Sequence, residues 1–178
     1  MNLPNKLTIL RVILVPVFVI LMLAPLSWGR WAALAVFIIA SLTDTADGYI
    51  ARKYNLVTDF GKFMYPLADK LLVCAAMICL ITTGQLPAWI VIVIISREFI
   101  ISGFRLIAAE KGIVIAASWW GKIKTVVQMV MICALLINAG AAWFKVLEQI
   151  LIYAALVLTV VSLVDYIIKN KSVLEGEM

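Results

Sequence analysis

Long apolar stretches, each ended by a few polar residues, recur along the whole chain and constrain its fold more than any other feature. A helical bilayer span needs about 20 consecutive apolar residues, and these stretches have that length. Of the 178 residues, 65% are hydrophobic and 14% are charged, whereas soluble domains are about half apolar and about a quarter charged. The sequence therefore predicts an all-α integral membrane bundle, a single domain over residues 1–178. The six predicted transmembrane helices are Thr8–Leu26, Trp31–Arg52, Phe60–Thr83, Ala88–Ala109, Gly121–Ala139 and Phe144–Lys169.

The basic residues are distributed unevenly between the two sides of this predicted bundle. Six spans put both termini and the second–third and fourth–fifth connections on one side. Of the 15 Lys and Arg residues, only Arg30 and Lys145 fall on the other side. The positive-inside rule makes the basic side cytoplasmic, and most acidic residues lie there too. We therefore expect a multi-pass cell-membrane protein that works at its cytoplasmic face. A basic membrane face attracts anionic lipids and phosphorylated substrates, so the net charge of +5 requires no nucleic-acid partner.

A cluster of carboxylates lies in residues 44–69, DTADGYIARKYNLVTDFGKFMYPLAD. Asp44 and Asp47 are three apart near the end of the second helix, so they share a face. Tyr65 and Asp69 are four apart on the third helix, and the short connection makes the two helices antiparallel neighbours. Hard cations such as Mg²⁺ prefer carboxylate oxygens and bind together with phosphates. The alternative, that the acids only cap helices or pair with nearby cations, does not explain three of them on two facing helices.

The same segment resembles the signature of the CDP-alcohol phosphatidyltransferases, D-x2-D-G-x2-A-R-x8-G-x3-D-x3-D. Seven of its eight fixed positions match, namely Asp44, Asp47, Gly48, Ala51, Arg52, Gly61 and Asp69. The resemblance implies a six-helix, usually homodimeric bundle that holds two Mg²⁺ or Mn²⁺ ions beneath a CDP-linked lipid. It implies that Asp44, Asp47, Asp69 and the residue at position 65 bind metal, and that Asp69 is the catalytic base. The residues that it implies contact CDP-diacylglycerol are Asp47, Gly48, Ala51, Arg52 and Gly61.

Position 65 departs from that signature, because Tyr65 stands where the pattern has Asp. A phenol that is neutral at pH 7 is a weaker ligand for Mg²⁺ than a carboxylate. Three explanations are open: a natural variant that uses fewer carboxylates, a catalytically impaired homologue, or an engineered change.

Three further segments resemble the bacterial phosphatidylglycerophosphate synthase branch of that family: LPNKLTILR (3–11), SREFIISGFR (96–105) and WGKIKTVVQM (120–129). The implied reaction transfers the phosphatidyl group of CDP-diacylglycerol to sn-glycerol 3-phosphate and releases CMP. A dianionic acceptor needs fixed cations, and Arg suits bidentate phosphate recognition while Lys supplies point charge. The candidate glycerol-phosphate ligands are Arg97, Arg105, Lys122, Lys124, Thr8 and Arg11. For Arg11 and the lysines, the alternative is an ordinary charge flanking a membrane span.

Other function classes fit parts of the sequence. Charges within membrane helices also line the paths of transporters and channels, although here they gather at one face. An inactive family member that serves as a binding or assembly subunit would explain Tyr65. Within the enzyme class, cardiolipin, phosphatidylserine and phosphatidylinositol-phosphate synthesis are alternatives, since the acceptor depends on the basic pocket.

Overall fold

A computed structural model describes residues 3–53, 59–110, 115 and 118–171, with the side chains of 8–43, 68, 70–109, 115 and 118–171. Throughout this described part the regular structure is α-helical, which confirms the predicted all-α class. The described residues form six helices: α1 (Leu3–Leu23), α2 (Gly29–Lys53), α3 (Asp59–Thr82), α4 (Ala88–Glu110), α5 (Trp119–Ile137) and α6 (Ala142–Lys169).

The ends of α1 differ from the prediction at both termini. The helix begins at Leu3, ahead of the predicted Thr8. Pro4 lies in its first turn, where the missing proline N–H has no helical partner to lose. The helix ends at Leu23 because Pro25 disfavours helical backbone for the residue before it.

The start of α5 was also predicted too late, at Gly121. Ser118 has extended backbone (φ −69°, ψ 154°) and its hydroxyl oxygen accepts a hydrogen bond from the Gly121 N–H at 3.1 Å. A serine that accepts from the third helical N–H is an N-cap, so α5 begins at Trp119. At the other end, Asn138 adopts the left-handed conformation (φ 44°) and closes the helix.

The described residues fall into two compact units. The first covers residues 1–85 together with 135–137, and in it α1 packs against both α2 and α3. Phe18 of α1 meets Phe37 of α2 with ring centroids 6.2 Å apart, and both side chains are buried. The Arg30 guanidinium donates to the Leu135 carbonyl at 2.9 Å, and the Gln85 amide donates to the same oxygen at 2.8 Å. A carbonyl from the last turn of α5 is thereby satisfied.

The second unit covers residues 86–134 and 138–178, and in it α4 packs against α6. One face of α6 is buried at intervals of three and four residues, which is the period of a single helical face. The members of this face are Glu148, Ile152, Ala155, Thr159, Ser162 and Tyr166. The hydroxyls of Thr159 and Ser162 therefore point into the protein.

Two helices, α5 and α6, are long and apolar enough to cross a membrane. The described parts of α1, α2 and α3 contribute shorter apolar stretches, Thr8–Leu23, Gly29–Thr43 and Lys70–Thr82. The outward surface of α6 is apolar as well, with Val146, Ile150, Val157 and Ile168 all exposed. These features fit a membrane-associated protein, and the crossing of a bilayer by all six helices stays a prediction.

Candidate functional site

The predicted carboxylate cluster is described at the level of the backbone. Asp44 and Asp47 lie in the C-terminal part of α2, and Tyr65 and Asp69 lie in the N-terminal half of α3. Helical backbone at both places means that each pair shares a face of its helix. The side chains of these four residues lie outside the described residues. The same holds for the side chains of Gly48, Ala51, Arg52 and Gly61. The metal and CDP-diacylglycerol contacts predicted for them therefore stay predictions.

Two predicted cations, Arg97 of α4 and Lys124 of α5, meet at one carboxylate in the second unit. Arg97 Nη1 lies 3.0 Å from Glu98 Oε1, and Lys124 Nζ binds the same oxygen. The side chains of Arg97 and Lys124 are 8% and 2% exposed, and that of Glu98 is 17% exposed. Buried charges persist when they are paired and hydrogen-bonded. Among these three side chains, two cations share one carboxylate.

A hydroxyl of α6 holds a second edge of the Arg97 guanidinium. Arg97 Nε donates to Ser162 Oγ at 3.1 Å, and Ser162 Oγ in turn donates to the Thr159 carbonyl at 3.0 Å. Because that carbonyl takes the hydroxyl proton, the Ser162 oxygen presents a lone pair to Arg97. The guanidinium is thus held through both Nε and Nη1.

The third nitrogen of Arg97, Nη2, faces the first turn of α5. A Cβ added at Gly121 would lie 3.2 Å from Nη2 and 3.4 Å from Ser118 Oγ. Helix N-termini carry partial positive charge and exposed N–H groups, which bind anions. Within the described part of the chain, Nη2 has no hydrogen-bond partner. Arg97 and the N-terminus of α5 therefore lie side by side, next to a second buried cation, in an arrangement suited to an anion.

The other two predicted cations of this unit make separate contacts. Arg105 is exposed, and its guanidinium carbon lies 5.9 Å from the centroid of the Tyr166 ring. Lys122 is exposed, and its Nζ lies 5.5 Å from the centroid of the Trp119 ring. Cations within about 6 Å of an aromatic centroid are attracted to the ring. Their predicted contact with glycerol 3-phosphate stays a prediction.

Thr8 and Arg11 of α1 belong to the first unit, and both are buried, at 0% and 2% exposure. An arginine that only anchors a membrane flank keeps its charged end in water or at the interface. The burial of Arg11 therefore argues against that alternative. A buried, partnered cation in an apolar helix fits a functional or structural role.

Three residues of this site were not among the predicted ligands. Glu98 is visible in sequence as an acid beside Arg97 in an apolar run, but its bond to Lys124 joins residues on different helices. Ser162 carries no sequence signal beyond being a small polar residue within an apolar span. The third is Ser118, which caps the first turn of α5; serine is a preferred N-cap residue, and this was the sequence signal for the position of that turn.

The family of this chain follows from comparison with known proteins. The family model described as CDP-alcohol phosphatidyltransferase matches residues 1–161. The chain therefore belongs to the CDP-alcohol phosphatidyltransferase family, which consists of enzymes that generally depend on divalent metal ions.

Several relatives are named CDP-diacylglycerol--glycerol-3-phosphate 3-phosphatidyltransferase. The one from Bacillus subtilis (strain 168) is 49% identical over 95% of this chain and 95% of its own length. The one from Haemophilus influenzae is 43% identical over 93% of this chain and 91% of its own. The one from Escherichia coli (strain K12) is 40% identical over 93% of both. The similarity thus runs nearly end to end.

Proposed function

We propose that this protein transfers the phosphatidyl group of CDP-diacylglycerol to sn-glycerol 3-phosphate, giving phosphatidylglycerophosphate and CMP. The observation that carries the proposal is the buried group of Arg97, Glu98 and Lys124 beside the first turn of α5. Two buried cations in one place suit a phosphorylated alcohol better than an acceptor without a phosphate. Family membership supports the reaction class, and the names of the relatives support the two substrates.

The acceptor phosphate would bind at the Nη2 edge of the Arg97 guanidinium. Arg97 Nη2 and the N–H groups of Trp119 and Trp120 are the proposed donors, because the Gly121 N–H already donates to Ser118 Oγ. Charge-assisted hydrogen bonds to phosphate are the stronger kind. Lys124 adds point charge close by. In this proposal Lys122 and Arg105 add further positive potential. Thr8 and Arg11 are proposed as additional ligands from α1.

The donor set of the carboxylate cluster fits divalent cations. Asp44, Asp47 and Asp69 offer hard oxygen atoms, which Mg²⁺ and Mn²⁺ prefer, and Tyr65 offers a weaker oxygen at the fourth position. Two such ions, when bound, would supply neutralisation of the pyrophosphate charge. The small residues Gly48, Ala51 and Gly61 would leave space for the nucleotide, with Asp47 and Arg52 as its polar contacts.

Asp69 is proposed to act as the base. The acceptor hydroxyl oxygen forms a bond to the phosphatidyl phosphorus, and the bond from that phosphorus to the CMP oxygen breaks. The hydroxyl proton passes to the Asp69 carboxylate and then to water. The other side chains of the site bind and orient the two anionic substrates, since holding two reactants together is itself a large part of catalysis.

The membrane arrangement is part of the same proposal. All six helices would cross the bacterial cell membrane, with the site at the cytoplasmic face and the lipid chains of the donor among membrane lipids. A homodimer is proposed from the family resemblance. The bacterial origin of the relatives fits this location.

One assay tests the reaction, and it also tests the alternative raised by Tyr65, a catalytically impaired family member. The purified protein is mixed with CDP-diacylglycerol, Mg²⁺ or Mn²⁺, and one alcohol at a time, and CMP release is followed. We expect metal-dependent release with glycerol 3-phosphate and not with serine, inositol phosphate or phosphatidylglycerol. Equal release with serine, inositol phosphate or phosphatidylglycerol would refute the acceptor assignment. Absence of release with every alcohol would favour the impaired member.

A further inference from the structure

We propose that Glu98 and Ser162 are positioning residues that hold Arg97 and Lys124 in the geometry that receives the acceptor phosphate. The inference rests on the proposed function and adds two residues to it. Neither side chain is expected to touch substrate, because the Glu98 oxygen and the Ser162 hydroxyl are already engaged with the cations.

Glu98 keeps two like charges together. Arg97 Nη1 and Lys124 Nζ bind the same carboxylate oxygen, so the two cationic groups lie close together around a single atom. Two positive charges at such a separation repel each other, and the repulsion is larger in a protein interior than in water. Without the carboxylate, the long Lys and Arg side chains would move apart, since both can adopt many rotamers.

Ser162 sets the orientation of the guanidinium. Its hydroxyl proton goes to the Thr159 carbonyl, so towards Arg97 it can only accept. With Nε held by Ser162 and Nη1 held by Glu98, the plane of the guanidinium is determined, and Nη2 is the edge that remains beside Gly121. An anion that arrives at this edge meets donors already in place, which lowers the ordering cost of binding.

A role for Glu98 through its charge and a role through positioning the cations predict opposite effects of its neutralisation on glycerol 3-phosphate binding. An experiment can therefore decide between the two roles. A negative charge beside an anion site weakens the attraction of that site for phosphate. If Glu98 acted only through its charge, its neutralisation would tighten the binding of glycerol 3-phosphate. If it acts by positioning, neutralisation loosens both cations and weakens the binding.

The test compares Glu98→Gln, Glu98→Asp and Ser162→Ala in the full-length protein in detergent with lipid. KM for glycerol 3-phosphate is measured at saturating CDP-diacylglycerol. KM for CDP-diacylglycerol is measured at saturating glycerol 3-phosphate. Binding without turnover is followed as the rise in melting temperature caused by glycerol 3-phosphate alone. The matched control is Asp165→Asn, because the Asp165 side chain is also 17% exposed and ion-paired, with Lys169.

We expect Glu98→Gln to raise KM for glycerol 3-phosphate about tenfold, with kcat and KM for CDP-diacylglycerol changed less than about twofold. Ser162→Ala should raise the same KM about threefold, and Glu98→Asp should recover part of the loss. Asp165→Asn should change neither KM. An unchanged or lowered KM in Glu98→Gln overturns the inference, as do equal rises in KM for both substrates, which indicate a merely structural role.

The binding measurement separates this inference from the proposed reaction. If the wild-type protein is stabilised by glycerol 3-phosphate but releases no CMP, the reaction fails. The inference still holds in that case, provided that Glu98→Gln loses the stabilisation and Asp165→Asn keeps it. If the wild-type protein turns over and Glu98→Gln behaves like it in both measurements, the reaction holds and the inference fails. A wild-type protein that neither binds nor converts glycerol 3-phosphate overturns both.

Discussion

Gly121→Ala places one methyl group against the edge of Arg97 that is proposed to receive the acceptor phosphate. The new Cβ would lie 3.2 Å from Nη2, which is closer than the separation of about 3.5 Å or more that non-bonded heavy atoms prefer. The guanidinium must therefore shift by a few tenths of an ångström. It is held by Ser162 at 3.1 Å and by Glu98 at 3.0 Å, so the shift lengthens at least one of these hydrogen bonds.

Two effects on the free energy of unfolding then oppose each other. Replacing a helical glycine by alanine stabilises a helix by about 0.5–1 kcal/mol. A hydrogen bond to a charged group contributes about 1.5–3 kcal/mol when well made, and stretching one forfeits part of that. We expect the two effects nearly to cancel in stability. Acceptor binding has no such compensation, and a loss of about 0.7–1.4 kcal/mol corresponds to a KM for glycerol 3-phosphate raised about threefold to tenfold.

The matched control for this prediction is Gly103→Ala, the same substitution on α4. Among the described residues, a Cβ at Gly103 would meet no atom within 4 Å beyond the backbone of its own helix, so this variant should gain the helix stabilisation and keep both KM values. The measurements are thermal denaturation and CMP release, the latter with glycerol 3-phosphate titrated at saturating CDP-diacylglycerol. An unchanged KM in Gly121→Ala would mean that Nη2 does not face the acceptor. The same KM change in both variants would point to a general effect of helix rigidity.

Three further substitutions test the metal and acceptor assignments. Asp44→Asn should abolish CMP release and weaken Mn²⁺ binding measured by calorimetry, because a neutral amide is a poorer ligand than a carboxylate. Lys124→Ala should raise KM for glycerol 3-phosphate more than KM for CDP-diacylglycerol in steady-state kinetics, because it removes a buried charge from the phosphate site. Tyr65→Asp should raise kcat at limiting Mg²⁺ about tenfold, equivalent to about 1.4 kcal/mol of barrier, in a Mg²⁺ titration at fixed substrate concentrations.

Each of these predictions has an outcome that contradicts it. Retained turnover with unchanged metal dependence in Asp44→Asn would remove that residue from the metal site. Equal KM losses for both substrates in Lys124→Ala would assign the lysine to the fold or to the nucleotide. No gain in activity or metal affinity in Tyr65→Asp would show that position 65 is not a missing ligand. Asp165→Asn, which changes an acid paired with Lys169 on its own helix, serves as the control for the loss of a carboxylate.

The fold class was predictable because the information for it is local. An apolar stretch of span length followed by glycine, proline or charge identifies a helix without reference to the rest of the chain. The errors lie at helix ends, where a single residue can determine the position at which a helix begins or ends. Pro4 allowed α1 to begin earlier than its apolar stretch indicated, and Ser118 started α5 before Gly121.

The site was predictable only in part, because its contacts are distant in sequence. Arg97 and Lys124 were identified from sequence as candidate cations for the acceptor phosphate, and the structure brings them to one carboxylate. Glu98 is next to Arg97 in sequence but 26 residues from Lys124, and Ser162 is 65 residues from Arg97. Such pairings depend on how α4, α5 and α6 pack, which no local pattern encodes. The carboxylate cluster itself stays a prediction.

The shared oxygen of Glu98 has a consequence for how this protein can change in evolution. Because two cations depend on one carboxylate, the effects of substitutions at positions 97, 98 and 124 cannot be additive. Loss of the acid alone leaves two buried charges in repulsion, whereas simultaneous loss of the acid and one cation leaves a single charge that is easier to accommodate. Viable sequences should therefore change these positions together, and this epistasis would appear as covariation when many homologues are aligned.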